Sequence, residues 1–268
     1  MSHLSELLAH LDTAAAVLVE VVAVKGSVPR EPGAWMAVLV HGQIGTVGGG
    51  HLEWRAAEQA RELLRSGPGP AQEHTVVLGP SLGQCCGGQV TLRYQWVGPT
   101  ERDALSQRLR AQHTPVALFG GGHVGRAIVA ALTPLPFDIQ WTDSRDEVFP
   151  AELPPQVQAE HSDPVHAAVA DLRPGSLVLV MSFSHAEDLD VVAACLLRQR
   201  ACGDLPFVGL IGSRTKWATF RHRLEARGFT SAELSHITCP IGLSEITGKA
   251  PATIAASVAA QLLMRQAR

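Results

Sequence analysis

The chain has few aromatic residues, little net charge and no long apolar run, and each shortage excludes a class of protein. Its 7 Phe, 5 Trp and 1 Tyr in 268 residues are too few for an extended base-stacking surface. A net charge of −3 gives no positive field that attracts nucleic acid. No run approaches the ~18–20 apolar residues of a membrane span. We therefore expect no nucleic-acid partner and no membrane.

The cysteine content and the composition narrow the class further. Five cysteines, an odd number, do not form a disulfide framework. The first residues, MSHLSE, lack the basic start of a signal peptide. A hydrophobic content of 46% with a small net charge is not the composition of a disordered chain. We expect a soluble, cytoplasmic protein of one large or two ordinary domains.

The first 112 residues show the pattern of a mixed α/β domain. Leucines at helical spacing predict a helix over 2–12, and the apolar, β-branched run 17–24 predicts a strand buried on both faces. The polar segment 99–114 is the natural domain boundary. Between the strand 17–24 and this boundary we expect a hairpin over 34–47, a helix over 51–65 and strands over 74–78 and 89–97.

From residue 113 to residue 268, short apolar strands alternate with helical segments. This alternation predicts a parallel sheet with right-handed crossovers, which is a Rossmann-like α/β domain. The predicted strands are 116–119, 138–142, 157–159, 177–181 and 207–211. The first predicted helix of this half begins after the glycine loop that follows the strand 116–119 and ends at about residue 132. Further helices are predicted over 164–171, 186–201, 214–227 and 251–266.

A glycine fingerprint opens this second domain. Gly120, Gly122 and Gly125, with His123 between them, match G-x-G-x-x-G after a predicted strand and before a predicted helix. Asp143 ends the next predicted strand, as a dinucleotide-binding unit requires. Gly122 would let backbone N–H groups approach a pyrophosphate, and Asp143 would accept from a ribose hydroxyl.

Other interpretations of this fingerprint stay open. Arg145, close to Asp143, would instead meet a phosphate. The fold does not fix the ligand, so the loop could bind another phosphate-bearing molecule or nothing. No constellation for hydride transfer accompanies it.

Two donor-rich loops stand out in the first domain. The loop 26–33 offers the Ser27 hydroxyl and the forked Arg30 guanidinium. Gly48, Gly49 and Gly50 precede a predicted helix, and we expect their free N–H groups to form an anion cradle. Glu53 lies in the first turn of that helix, where a carboxylate suits the helix dipole. The alternative is two ordinary tight turns and a helix cap.

Cys85 and Cys86 form a third feature, inside a glycine-rich loop. Adjacent cysteines without a second pair do not have the spacing of a structural zinc site. One thiol could contact a soft atom such as sulfur or molybdenum. The alternative is buried, inert cysteine.

Two polar segments follow predicted strands of the second domain. His185 follows the strand 177–181, while Ser213 and Lys216 follow the strand 207–211. Both segments are expected at the carboxyl edge of the sheet, where open α/β sheets bind ligands. These groups suit a phosphate or a pterin-like ligand. The alternatives are an exposed histidine and a solvated helix start.

Eight segments in this order make the sequence resemble the XdhC/CoxI family. Residues 184–187 depart from it, reading SHAE where the family usually has a THDH-like segment, although His185 and Asp190 keep the spacing. The matching segments are GSVPREPGAWM (26–36), GTVGGGHLE (45–53), GQCCGG (83–88), FGGGHVGRA (119–127), SHAEDLD (184–190), GLIGSRTKWATF (209–220), TCPIGL (238–243) and GKAPATIAASVAAQLL (248–263).

The resemblance implies a molybdenum cofactor chaperone rather than a catalyst. Members of the family bind molybdenum cofactor (molybdopterin) and deliver its sulfurated form to the molybdenum subunit of xanthine dehydrogenase. A cysteine desulfurase that sulfurates the cofactor is an implied second partner, and a homodimer is permitted without being required. No residue is expected to ligate a metal directly as a permanent site. Contacts to the cofactor are expected from Ser27, Arg30, Gly48, Gly49, Gly50, Glu53, Cys85, Cys86, Gly120, Gly122, His123, Gly125, Asp143, His185, Ser213 and Lys216.

Two other classes compete with this function. One is an NAD(P)-dependent oxidoreductase that uses the Rossmann loop. The other is a structural partner of a dehydrogenase subunit that holds no cofactor. Molybdenum retention favours the chaperone, and tight nicotinamide binding favours the enzyme.

Overall fold

The structure is a computed structural model that describes residues 3–79 and 87–266. The chain divides into two units, residues 1–112 and 113–268, here called unit 1 and unit 2. Each is described by itself.

Unit 1 is built on a five-stranded antiparallel sheet in the order β3-β2-β1-β5-β4. A short 3-10 turn, Pro99–Glu101, precedes its last helix. Its elements are α1 (His3–Leu11), β1 (Ala16–Lys25), β2 (Trp35–Val38), β3 (Gln43–Gly45), α2 (Gly50–Ser66), β4 (Gln72–Val77), β5 (Gln89–Val97) and α3 (Arg102–Arg110).

The central strand β1 explains why this sheet has helices on both faces. Its residues are buried from Ala16 to Val21, as its apolar run predicts. The predicted burial is wrong for 22–24, where Val22 and Val24 are half-buried and Ala23 is exposed. Val19 packs with α2 on one face, whereas Leu18 packs with α1 and α3 on the other. Glu20 is also buried, and both its oxygens accept hydrogen bonds from Arg108 of α3, at 2.7 and 2.9 Å. That pairing offsets the desolvation of the Glu20 charge.

Unit 2 contains a six-stranded parallel sheet in the order β11-β10-β9-β6-β7-β8. The predicted Rossmann-like fold is confirmed. Its elements are β6 (Thr114–Phe119), α4 (His123–Leu132), β7 (Phe137–Asp143), β8 (Val157–His161), β9 (Leu177–Val180), α5 (His185–Cys202), β10 (Phe207–Leu210), α6 (Arg214–Ala226), α7 (Ser231–Leu234), β11 (Ile237–Thr238) and α8 (Pro251–Leu263).

The strands of unit 2 are apolar because both faces of the sheet are covered. Every residue of β9 and β10 is buried. Along β6, Phe119 packs with α5 and α6, whereas Leu118 packs with α4 and α8. Alternate residues of one strand therefore pack into the two hydrophobic cores on opposite faces of the sheet.

The helical segment predicted over 164–171 is a 3-10 helix, Val165–Asp171. The structure also contains α7 and β11, which the sequence did not predict, because four and two residues are too short for a periodic pattern.

Among the described residues, no helix combines the length and the apolar character needed to cross a membrane.

The glycine loop between β6 and α4 is closely packed, and Gly125 shows this best. A methyl group added at Gly125 would lie 2.1 Å from the Gly120 carbonyl oxygen. We predict that Gly125→Ala lowers the free energy of unfolding by about 1–3 kcal/mol because the loop must shift. A urea titration measures this loss.

Gly122→Ala is the matched control in the same loop. An added methyl there has no atom within 4 Å, and the φ of Gly122 is −70°. This variant should unfold like the parent. Equal midpoints for the Gly122 and Gly125 variants would contradict the close packing.

Candidate functional site

In unit 1, the loop 26–33 contacts two other motif segments, the loop 45–50 and Gly88. A methyl group added at Gly48 would lie 2.5 Å from Pro29 Cγ and 3.6 Å from Arg30 Cγ. One added at Gly88 would lie 2.3 Å from the Ser27 carbonyl oxygen. Segments more than sixty residues apart in sequence are therefore neighbours.

Glu53 holds the loop 45–50 in shape. Its carboxylate accepts hydrogen bonds from the Val47 and Gly49 N–H groups, both at 3.0 Å, and from Gln43 Nε2 at 2.7 Å. The Thr46 hydroxyl donates to the same carboxylate. Burial acts to raise the pKa of Glu53, but these donors together outweigh it and hold the pKa below its ordinary value.

The expectation of free N–H groups on this loop is wrong for Gly48 and Gly49. The Gly48 N–H donates to Thr46 Oγ1 at 3.1 Å, and the Gly49 N–H donates to Glu53. The three glycines have φ values of +130°, +74° and +62°, which a residue with a side chain adopts only under strain. The glycine triplet therefore shapes the loop, and the N–H groups of Gly50 and His51 remain for a ligand because a helix leaves its first N–H groups without partners.

Arg30 is the cation beside this loop. Its side chain is exposed and makes no hydrogen bond or ion pair with any residue that the structure describes. It lines a shallow depression of about 300 Å³ together with Pro29, Glu31, Pro32 and Ala34. Ser27 is exposed in the same loop. A guanidinium without a partner among the described residues, next to the first turn of a helix, suits an anion.

An aromatic pair, which the sequence did not suggest, lies in that first turn. The His51 and Trp54 rings stack with centroids 5.4 Å apart and planes at 28°. Both residues are exposed, and 59% of Trp54 is open to solvent. Residues three apart on a helix are neighbours, so the spacing of His51 and Trp54 in the predicted helix could have indicated this pair. The pair offers a flat surface beside the loop.

Cys85 and Cys86 lie outside the described residues. Among the residues that are described, no three His, Cys, Asp or Glu side chains are grouped so that they could hold a metal ion.

In unit 2, the loops after β6 and β9 touch at Gly120. Its φ is +130°, and an added methyl would lie 2.0 Å from the Met181 carbonyl oxygen. Gly121 is buried against Val148, whose Cγ2 would lie 2.3 Å from such a methyl. Gly122 and His123 are exposed. The exposed part of the fingerprint is therefore short.

Asp143 is fully engaged within the protein. Its Oδ2 accepts from the Gly121 N–H at 2.6 Å and from Arg145 Nη2 at 3.0 Å. Its Oδ1 accepts from the Arg145 N–H and Nε, both at 2.9 Å. Burial acts to raise the pKa of Asp143, but the donors of Arg145 and Gly121 outweigh it and keep the pKa below its ordinary value.

The segment after β7 also contacts the segment after β9. The Arg145 guanidinium lies 4.2 Å from the centre of the Phe183 ring. The Ser144 hydroxyl donates to Glu187 Oε1 at 3.0 Å. These two contacts, from Ser144 and Arg145 to Phe183 and Glu187, are here called the bridge.

Of the other predicted residues of unit 2, Ser213 and Lys216 make internal hydrogen bonds, whereas His185 is exposed. Ser213 caps α6 by accepting from the Lys216 N–H at 3.2 Å. Lys216 Nζ donates to Asp188 at 2.6 Å and to the Ile211 carbonyl at 2.9 Å, so two of its three N–H groups are occupied. His185 is exposed at the start of α5. The solvated helix start expected as an alternative for Lys216 is wrong, because its side chain is only 12% exposed.

Comparison with protein families decides where this chain belongs. A family model described as the XdhC Rossmann domain matches residues 116–262, which is more than half of the chain. A second, described as the XdhC and CoxI family, matches residues 11–75. The chain belongs to the XdhC/CoxI family. The two family models fall on unit 2 and unit 1 respectively.

Relatives of this XdhC/CoxI protein share sequence or fold. The chain is 30% identical over 254 residues to the uncharacterized protein YqeB of Escherichia coli K12, covering 92% of this chain and 42% of YqeB. It thus spans about two fifths of the length of the curated relative it matches.

Solved structures add a likeness of fold. A crystal structure described as a xanthine dehydrogenase from Bacillus halodurans matches 99% of this chain and 96% of its own, with 19% identity and a TM-score of 0.73. The oxidoreductase ylbE from Lactococcus lactis matches 56% of this chain and 62% of its own, with 16% identity and a TM-score of 0.31.

Glu53→Gln tests the role of the carboxylate in unit 1. The ionised form stabilises the fold above its ordinary pKa of 4.5, and this contribution is lost as the pH falls through the lower folded pKa. At neutral pH the variant should lose about 1–3 kcal/mol, and peptides covering 43–50 should exchange amide hydrogen faster. Hydrogen–deuterium exchange at pH 7 and at pH 4 measures both effects.

Glu58→Gln provides the control on the same helix. Glu58 pairs with Arg61 at the surface, and such pairs contribute little. Unchanged exchange of the 43–50 peptides in the Glu53 variant would show that the carboxylate does not hold the loop.

Proposed function

We propose that this protein carries molybdenum cofactor as cargo and delivers it, in sulfurated form, to the molybdenum subunit of xanthine dehydrogenase. Membership of the XdhC/CoxI family supports a role in xanthine dehydrogenase maturation. Members of the family are accessory proteins, so the proposed role is that of a carrier. The cargo, its chemical form and the point of delivery are the finer parts of the proposal.

One observation carries the cargo proposal, namely the contact between the loop 26–33 and the loop 45–50 in unit 1. Gly48 packs against Pro29 and Arg30. The Arg30 side chain therefore lies near the start of α2, where the N–H groups of Gly50 and His51 and the stacked rings of His51 and Trp54 are found.

The donor set of this surface suits the chemistry of molybdopterin. The cargo has a phosphate, a flat hydrogen-bonding pterin and a sulfur-bound metal. Arg30 and the N–H groups of Gly50 and His51 fit the phosphate. The exposed ring of Trp54, with that of His51, fits the flat face of the pterin. Ser27 adds a hydroxyl that donates or accepts a hydrogen bond.

The metal end of the cargo is assigned to the cysteine pair. Cys85 and Cys86 precede Gly87 in the sequence, and a thiol contacts molybdenum or sulfur better than an alcohol does. Binding rather than reaction is the role of all these groups. They hold the phosphate, the pterin and the metal end of the cargo.

The partners follow from the same proposal. The molybdenum subunit of xanthine dehydrogenase receives the cargo, and a cysteine desulfurase supplies the sulfur before delivery. The cytoplasm is the proposed compartment. A homodimer is compatible with this role.

Arg30→Ala tests the cargo site. A charge-assisted contact to phosphate contributes about 1.5–3 kcal/mol, so the variant should retain cargo at least tenfold less well. The measurement is molybdenum per chain after gel filtration of protein from cells that make the cofactor.

Arg61→Ala is the matched control in unit 1. Arg61 lies on α2 and pairs with Glu58 at 2.6 Å, so its removal should leave retention unchanged. Equal retention in the Arg30 variant, the Arg61 variant and the parent would contradict the site. Both variants should keep the melting temperature of the parent because both side chains lie at the surface of the unit.

A further inference from the structure

The sheet of unit 2 defines where a dinucleotide would lie. The strand order β8-β7-β6-β9-β10-β11 reverses direction between β6 and β9. Ligands of such sheets lie in the crevice at that point, beyond the carboxyl ends of the strands. A dinucleotide would extend from the end of β7, across the glycine loop after β6, to the end of β9.

The first part of this path is occupied by Arg145. In a dinucleotide site, the carboxylate at the end of the second strand accepts from the ribose hydroxyls. Here that carboxylate is Asp143, which is 1% exposed and accepts four hydrogen bonds from Gly121 and Arg145. A ribose would have to displace the guanidinium to reach it.

The middle of the path is crossed by the bridge. Strands β7 and β9 are not neighbours, since β6 lies between them. Two strand spacings separate them by about 10 Å. The contacts of Arg145 with Phe183 and of Ser144 with Glu187 therefore pass over the end of β6, where the glycine loop begins. Val148, in the short 3-10 turn after β7, packs on Gly121.

We infer that Arg145 is a specificity-determining residue that closes the unit 2 crevice to NAD-type dinucleotides. The glycine fingerprint then serves close packing of β6, α4 and β9, and the residues present do not fit a nicotinamide dinucleotide. This inference is independent of the cargo proposed for unit 1. A crevice closed to NAD argues against a dinucleotide-dependent oxidoreductase.

The test is a gain of binding by Arg145→Ala in the full chain. Removing the guanidinium frees Asp143 and breaks the contact with Phe183. NADH binding, measured by fluorescence titration, should tighten by about tenfold or more relative to the parent. The parent should show no saturation at millimolar NADH.

Arg200→Ala is the matched control. Arg200 also pairs with a carboxylate, Glu233, and also lies over an aromatic ring, that of Phe229, at 5.1 Å. Its contacts lie at the far end of α5 from the crevice. This variant should bind NADH as poorly as the parent.

Phe183→Ala provides a second route to the same result. Phe183 is 64% exposed, so its removal should not unfold the protein. We expect a smaller gain of NADH binding, because Arg145 still pairs with Asp143 but loses its contact with the Phe183 ring. Saturable binding by the parent, or no gain in folded variants of Arg145 and Phe183, would overturn the inference.

Discussion

In both units, a carboxylate of the chain itself accepts hydrogen bonds from the N–H groups of a glycine loop. Glu53 takes the N–H groups of Val47 and Gly49, and Asp143 takes that of Gly121. Such a bond is charge-assisted and therefore stronger than a neutral one. Each loop is held in one conformation by an anion that the protein supplies.

This constraint decides which groups remain for a ligand. A loop whose N–H groups already have an internal anion does not need an external one. In unit 1, binding then falls to groups around the loop, chiefly Arg30, the start of α2 and the exposed Trp54. In unit 2, Arg145 completes the charge balance of Asp143 and lies in the path of a dinucleotide. The two glycine motifs therefore differ. Arg30, which has no partner among the described residues, lies beside the first motif, whereas the bridge crosses the second.

Much of the fold could be predicted from the sequence, because local patterns carry it. The apolar run of β1, the heptad-like leucines of α1 and the turn glycines all indicate their elements correctly. The six-stranded parallel sheet follows from strand and helix alternation, except for β11, whose two residues leave no pattern.

The site was harder to predict because its key contacts join residues far apart. Glu53 was interpreted as a partner of the helix dipole, and only the folded loop shows its carboxylate facing Val47 and Gly49. Arg145 and Phe183 are 38 positions apart, and no local rule links them. Side-chain pairing across loops depends on the whole sheet. Residue types in the sequence therefore indicate the right segments, but they do not show which polar groups already have hydrogen-bond partners inside the protein.

The proposed function requires unit 1 to hold molybdenum cofactor as cargo. The most direct measurement is the molybdenum and pterin content of the full chain, purified in parallel from cells that make the cofactor and from cells that cannot. Molybdenum and pterin should copurify with the protein from the first cells and be absent from protein from the second. If protein from the cofactor-making cells holds no more molybdenum or pterin than an unrelated protein purified beside it, unit 1 does not carry this cargo.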